Sequence, residues 1–269
     1  MNIVIITSNS IRHNYFKVMF SNHDKINVVR TYVESNEKFD FNIKHDIDLN
    51  NINDIHFKTR HNIEHDFFSD LIDNLPDDSN SKQIRKGEIN DTKVIDEIIN
   101  LSPDLIITYG CSIIKPRLIN SFKNKIINVH LGLSPYYFGS GTNFHCLANN
   151  ELHFFGYTFM YIDEGIDTGE IIHQARPDVF PFDSPHQIGN RLIKKMVKDF
   201  IKLIVNFDSV KKIKLTNKYV GKTYKMKDAS EKVTMEMYEN FKQGLVLNYL
   251  KSKKTFLKKY KIISQDFIN

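Results

Sequence analysis

Short, wholly apolar runs separated by longer mixed segments set the rhythm of this 269-residue chain. Residues 3–7 read I-V-I-I-T, as a strand buried on both faces of a parallel sheet does. Ser8-Asn9-Ser10 then offers turn and helix-cap chemistry before a helical stretch over about 12–20. A second apolar run over 26–33 predicts another strand. Residues 35–85 are polar, rich in Asn and Asp and weakly periodic, which predicts loops with one helix near 62–73. Further on, the pattern predicts a helix over 94–99, a strand over 104–109 ending in Gly110, a strand over 126–130 and a short helix over 143–149. Strands over 155–162 and 170–174 precede a long amphipathic helix over 185–204. Beyond about 206 the pattern predicts a hairpin and then a helix near 231–251.

Strands alternating with helices predict an α/β chain with a Rossmann-like, mostly parallel sheet and helices on both faces. The expected division is a domain over 1–205 and a small C-terminal extension over 206–269. Ligands of such sheets sit beyond the carboxyl ends of the strands. Residues 8–10, 110–114 and 128–135 all fall at such ends, so a site is expected there.

Composition is that of a globular protein, 41% hydrophobic and 26% charged. Two cysteines, Cys111 and Cys146, cannot build a disulfide framework. The first residues lack the charged and apolar regions of a secretory signal, and no apolar run approaches the ~20 residues of a membrane span. A cytoplasmic protein with no membrane partner is the expectation. The net charge of +5 hides an asymmetry, because residues 211–269 hold 15 lysines against 5 acids. Because these lysines mix with apolar residues, the tail fits a solvated helical surface more readily than contact with an anionic partner such as a nucleotide or tRNA.

The candidate chemistry lies between 128 and 169, where the chain reads N-V-H-L-G-L-S-P-Y-Y-F-G-S-G-T and later D-E-G-I-D-T-G-E. Asn128 and His130 lie two apart on a strand and so point to one face. Both can donate a hydrogen bond to a developing oxyanion, and the imidazole can also move protons. Asp167 adds a carboxylate.

These two linked motifs resemble those of the folate-dependent formyltransferases, whose pattern is Asn-x-His-x-Ser-Leu-Leu-Pro-x-x-x-Gly followed by Asp-x-Gly-x-Asp-x-Gly. The resemblance covers about 94–205 and, more weakly, 1–20. Gly132-Leu133-Ser134-Pro135 departs from Ser-Leu-Leu-Pro, and Phe138 stands where the tRNA enzyme commonly has Arg. The resemblance implies the formyltransferase fold and transfer of a formyl group from 10-formyltetrahydrofolate to a primary amine, with no metal required. Asn128, His130 and Asp167 would be catalytic. Cys111, Ser112, Ile113, Ile114, Gly132, Leu133, Ser134, Pro135 and Asp163 would border the folate. Ser8, Asn9, Ser10, Arg12 and Tyr109 would meet the acceptor, the first four at its phosphate. Gly165 and Gly169 would let the loop carrying Asp167 turn sharply and approach the ligand closely.

Blander readings stand beside these. Asp163 fits a turn cap as well as a second acid, and Tyr109, Tyr136 and Tyr137 fit packing as well as stacking on a ligand. His61-Asn62-Ile63-Glu64-His65 matches an inverted zinc-protease pattern that is easily met by chance in a chain with 11 histidines. Among acceptors, a nucleotide-linked amino sugar used in polysaccharide biosynthesis suits a chain with a compact extension, and it implies a homodimer and no nucleic-acid partner. The alternatives are a methionyl-tRNA formyltransferase-like enzyme, a hydrolase releasing formate from the same folate, or a catalytically retired ligand-binding protein of the same fold.

Overall fold

A computed structural model describes residues 1–35, 48–213 and 221–268. In chain order the strands are β1 (Asn2–Ser8), β2 (Asn27–Ser35), β3 (Ser81–Arg85), β4 (Leu105–Tyr109), β5 (Ile126–His130), β6 (Tyr137–Gly139), β7 (Tyr157–Tyr161), β8 (Ile171–Ala175) and β9 (Lys222–Tyr224). The helices are α1 (Ile11–Ser21), α2 (Ile52–Asn74), α3 (Thr92–Leu101), α4 (Pro116–Ser121), α5 (Thr142–Ala148), α6 (Pro185–Val205), α7 (Glu231–Lys242) and α8 (Leu245–Lys259). The main sheet runs β3-β2-β1-β4-β5-β7-β8. Its first five strands are parallel, and β7 and β8 each run antiparallel to their predecessor in that order. The order reverses between β1 and β4, the crevice where such sheets take ligands.

Alternation along the strands divides the core in two. Ile3, Ile5, Ile107, Tyr109, Ile127 and Val129 face one way and pack with Phe16 and Phe20 of α1 and Met196 and Phe200 of α6. Val4, Ile6, Ile106 and Ile126 face the other way and pack with Ile95 and Ile98 of α3 and Leu118 of α4. Helix α6 starts where the sequence predicts, at a capping box between Ser184 and Gln187 with Pro185 in the first turn.

Two stretches differ from expectation. Where loops and a helix near 62–73 are expected, α2 runs for 23 residues and β3 follows. The inward stripe of α2 is His56, Arg60, Glu64 and Phe68 at four-residue spacing, with His56, Glu64 and Phe68 buried. A stripe that is mostly polar leaves no apolar period to read. Residues 36–47 of the expected loop region lie outside the described residues.

The hairpin expected after 206 falls partly on 214–220, also outside them. Beyond that gap β9 pairs instead with β6, in parallel, as a separate two-stranded sheet. The single helix expected near 231–251 is two helices, broken at Gly244, whose φ of 88° ends a helix readily. Residues after α8 return to the edge of β8. Gln174 N donates to Ile263 O at 2.7 Å, and Gln265 Nε2 donates to Ile172 O at 2.9 Å. This covers an otherwise open strand edge. Among the described residues no helix is long and apolar enough to cross a membrane.

Candidate active site

On the face packed by α3 and α4, β4 and β5 change character along their length. Ile106 and Ile126 are core, whereas Thr108, Asn128 and His130, further along the same face, are polar. Thr108 and Asn128 are register partners, and the Thr108 hydroxyl donates to Asn128 Oδ1 at 2.8 Å. With its oxygen so engaged, the amide presents Nδ2 as a donor to the site.

His130, buried at the end of β5, has partners at both ring nitrogens. Nε2 lies 3.1 Å from the Tyr137 carbonyl, which only accepts, so Nε2 carries a proton. Nδ1 lies 3.2 Å from Asp167 Oδ2, and the same oxygen accepts from Gly139 N at 2.8 Å. Burial pushes the imidazole below its ordinary value, opposed by Asp167 and the Tyr137 carbonyl.

The loop carrying Asp167 leaves the opposite end of β5, where Ile162 N donates to Ile126 O at 3.0 Å, and arches back over Asn128 to reach His130. Its turning residue is Asp167 itself, with φ of 54°. Gly165 and Gly169 contribute otherwise than expected: neither has positive φ, and each sits where a Cβ would overlap a neighbour, Thr168 or the Tyr161 carbonyl. Gly132 has the same kind of role, because a side chain there would collide with His130 Nε2 and Thr142 Oγ1.

Cys111, Ser112 and Ile113 form the loop after β4, and Ile114 is buried at its end. Two side chains outside the motifs brace this loop. Glu34, buried at the end of β2, accepts from Ser112 N at 2.6 Å and Gly87 N at 2.9 Å. Asn90 holds Ile113 O and Lys115 N at 3.0 and 2.8 Å. Ile113 is 70% exposed and Ile166, on the arching loop, 53%, which leaves apolar surface on both loops that flank Asn128. That suits a flat, partly apolar ring such as a pterin. Burial, with Glu34 adding, pushes the Cys111 thiol up to about 12, and burial also raises that of Cys146.

Other expected folate neighbours have partners within the protein. Leu133 is fully buried, and Ser134 is buried with its N–H on Thr158 Oγ1 (3.1 Å) and its carbonyl on Gln174 (2.6 Å). Pro135, half-buried, continues the same turn. Asp163 Oδ1 accepts from Gly165 N at 3.0 Å and Thr168 Oγ1 at 2.8 Å, capping the turn that carries Asp167. Tyr136 and Tyr137 are packing residues, stacked respectively on Phe154 and Tyr224.

The expected acceptor residues gather at the switch point, toward the α1 and α2 face. Ser8, Asn9 and Ser10 are half-buried, and Ser10 Oγ lies 2.7 Å from His13 Nδ1. Arg12 Nη1 lies 2.7 Å from Glu64 Oε1, and Arg60 Nε lies 3.5 Å from the same atom. Burial works against the charge of Arg12, but Glu64 and Tyr109 outweigh it and hold the guanidinium above its ordinary value. Arg60 is lowered to about 10 by burial, with Arg12 adding. The buried Tyr109 ring packs on His13 at 4.5 Å, and its hydroxyl lies beside Arg12 without a well-formed hydrogen bond. Alongside, His56 Nδ1 and His186 Nε2 share the Tyr238 hydroxyl at 3.0 and 3.3 Å. Glu64 of the zinc-like pattern is thus committed to arginines. Among the described residues no three His, Cys, Asp or Glu side chains are grouped to hold a metal ion.

Sequence reasoning missed Thr108, Glu34 and Arg60, and met Glu64 only within the zinc-like pattern. Thr108 was legible in principle, as the residue opposite Asn128 on the neighbouring strand. The backbone groups of Tyr137 and Gly139 carry no side-chain signal at all.

A doubly wound sheet that gathers an amide, an imidazole and a carboxylate on one strand and one arching loop defines a class of group-transfer site. The sequence profile of the formyl transferase family matches residues 4–204, and the chain belongs to that family. Methionyl-tRNA formyltransferase of Finegoldia magna is 33% identical over 137 residues, 48% of this chain and 43% of that protein. Phosphoribosylglycinamide formyltransferase of Haemophilus influenzae is 33% identical over 103 residues, 38% of this chain and 48% of its own. The chain thus spans less than half the length of these curated relatives in the matched regions. A sugar N-formyltransferase from Shewanella shares the fold with a TM-score of 0.55 at 18% identity, over 85% of this chain and 78% of that one. A 4-N formyltransferase from Francisella tularensis does so with a TM-score of 0.53 at 20% identity, over 84% and 77%.

Proposed function

We propose that the protein transfers a formyl group from 10-formyltetrahydrofolate to the primary amine of a nucleotide-linked amino sugar. The observation that carries the reaction is Asn128, its Oδ1 held by Thr108, on the same strand face as the His130–Asp167 pair. The folate would supply the formyl group, held against the 111–114 loop and the arching loop on the α3 and α4 face. As an amine attacks a formyl carbon, negative charge grows on the formyl oxygen. Asn128 Nδ2 donates to that oxygen, while His130, with Nε2–H on the Tyr137 carbonyl and Nδ1 on Asp167, holds the carboxylate in place beside it. Asp167 Oδ2 is occupied by Gly139 and His130, so Oδ1 remains to take the proton of the attacking nitrogen, which the leaving nitrogen of the folate ultimately receives. The new carbon–nitrogen bond forms as the carbon–nitrogen bond of the donor breaks.

The acceptor reading rests on the opposite face. Two arginines against one carboxylate leave a positive balance at the switch point, suited to a diphosphate. Solved sugar N-formyltransferase and phosphoribosylglycinamide formyltransferase folds both extend over most of this chain, so the acceptor reading rests on the arginines. The tRNA reading is favoured by the curated relatives and by the lysine-rich tail. Mass-spectrometric formylation assays with 10-formyltetrahydrofolate separate the two. The acceptor panel comprises dTDP-, UDP-, GDP- and CMP-linked amino sugars, glycinamide ribonucleotide and charged initiator tRNA. A formylated nucleotide sugar supports the proposal; formylation of tRNA alone overturns the acceptor and leaves the mechanism intact.

A further inference from the structure

Both backbone groups that hold the His130–Asp167 pair belong to one three-residue strand, β6. Tyr137 offers its carbonyl to His130, and Gly139 offers its N–H to Asp167. In an extended strand the peptide groups of alternate residues face the same edge. Residues 137 and 139 therefore serve the inner edge, and residues 136, 138 and 140 the outer one. On that outer edge Lys222 N donates to Tyr136 O at 3.0 Å, and Ser140 N donates to Tyr224 O at 2.9 Å. Among the described residues β9 is the one strand paired with β6.

β9 is itself firmly seated. The Tyr224 ring stacks on His145 at 3.9 Å, and its hydroxyl accepts from Asn149 Nδ2 at 2.8 Å. Lys222 Nζ reaches Glu151 Oε2 at 3.0 Å, the carboxylate that also takes the Tyr137 hydroxyl. Gly139, at φ of 88°, lies against the Tyr224 carbonyl, and Gly221 lies against the Pro135 carbonyl and the Phe138 ring. A Cβ at either glycine would overlap these atoms.

We propose that β9 is a positioning strand for the His130–Asp167 pair. Clamped from outside, β6 presents the Tyr137 carbonyl and the Gly139 N–H where they keep Nε2 protonated and Nδ1 on the carboxylate. Residues 222–224, which the sequence assigns to an appended extension, are thereby part of the apparatus that orients the site. The consequence for turnover rests on the formyl-transfer reading; the consequence for the His130 ring does not.

Lys222→Pro removes one N–H of the β6–β9 ladder, whereas Lys222→Ala keeps it and loses side-chain contacts alone, among them the ion pair to Glu151 and the approach of Nζ to the Tyr137 ring at 5.7 Å. For Lys222→Pro, kcat is expected to fall about 10–100-fold with both KM values within about 2-fold, as misplacement of a reacting group does. The midpoint of the His130 ring titration, followed by NMR, should fall by at least ~0.5 pH unit so long as the ring stays buried, since burial is what already lowers it. The Tyr137 carbonyl and Asp167, the charged group facing the ring, both favour its protonated form. Lys222→Ala should show a several-fold smaller change in each quantity. Wild-type kcat with an unchanged titration in Lys222→Pro overturns the proposal. Should that variant not fold, Tyr224→Ala, which unseats β9 without touching its backbone, must shift the titration in the same direction, and an unchanged midpoint overturns the proposal equally. If the wild type transfers no formyl group, the titration alone decides.

Discussion

On the face packed by α3 and α4, Asn128, His130 and Asp167 each lean on a hydroxyl or backbone group that fixes their geometry. On the face packed by α1, α2 and α6, Arg12 and Arg60 share one carboxylate, and the buried Tyr109 hydroxyl lacks a good partner. The first arrangement is complete without a ligand, as a group that must meet a transition state requires. The second holds unspent hydrogen-bonding capacity and positive charge, as a binding surface does. On the proposed function, chemistry and recognition are divided between the two faces of one sheet.

The sharpest way to break this division is to substitute each face separately. Asn128→Ala should lower kcat by about 10²–10³-fold with the folate Kd unchanged, because it removes an oxyanion donor and no binding surface. Arg12→Gln should do the reverse, raising the acceptor KM about 10–100-fold at nearly constant kcat. Steady-state kinetics with both substrates varied distinguish the two. If either variant behaves like the other, the division fails.

Glu64→Gln comes next. It leaves Arg12 and Arg60 facing each other without their carboxylate, at a cost of about 2 kcal/mol, reduced from a fully buried pair because both arginines are partly exposed. Denaturant unfolding should report that loss, with acceptor KM rising in parallel.

Acid should also separate the faces. His56 is lowered to about 3 and His186 to about 4, in both cases chiefly by burial. An unfolded chain protonates them near 6.5, so their contribution to stability is present above that value and lost as pH falls toward 4. The upper bound is ~1.4 kcal/mol per pH unit for each histidine. Protection factors for amide exchange across α2 should therefore fall between pH 7 and 5 before those of β4 and β5. The smallest effect is expected at Cys111. Its thiol, held up at about 12, should resist alkylation at neutral pH, and Cys111→Ala should leave kcat within about 2-fold.

The same two faces explain what could be read from the chain. Strands β1, β4 and β5 are buried on both sides, so their apolar runs stand out, and a polar Asn128 or His130 inside such a run is conspicuous. Helix α2 presents His56, Arg60 and Glu64 inward, which erases the apolar period that would have revealed it. Glu34 lies far from the motifs in sequence and acts through the backbone of residues 87 and 112. Strand β9 pairs with residues more than eighty positions away, a long-range match that a three-residue segment cannot announce.

The most direct test of the account is formylation measured side by side for wild type and His130→Ala, at saturating 10-formyltetrahydrofolate and nucleotide-linked amino sugar. The wild type should add the mass of one formyl group to the acceptor. The variant should bind the folate with unchanged Kd and fail to transfer it at any comparable rate. Transfer by the variant within a few fold of wild type would contradict the claim that His130, held between Tyr137 and Asp167, carries the reaction.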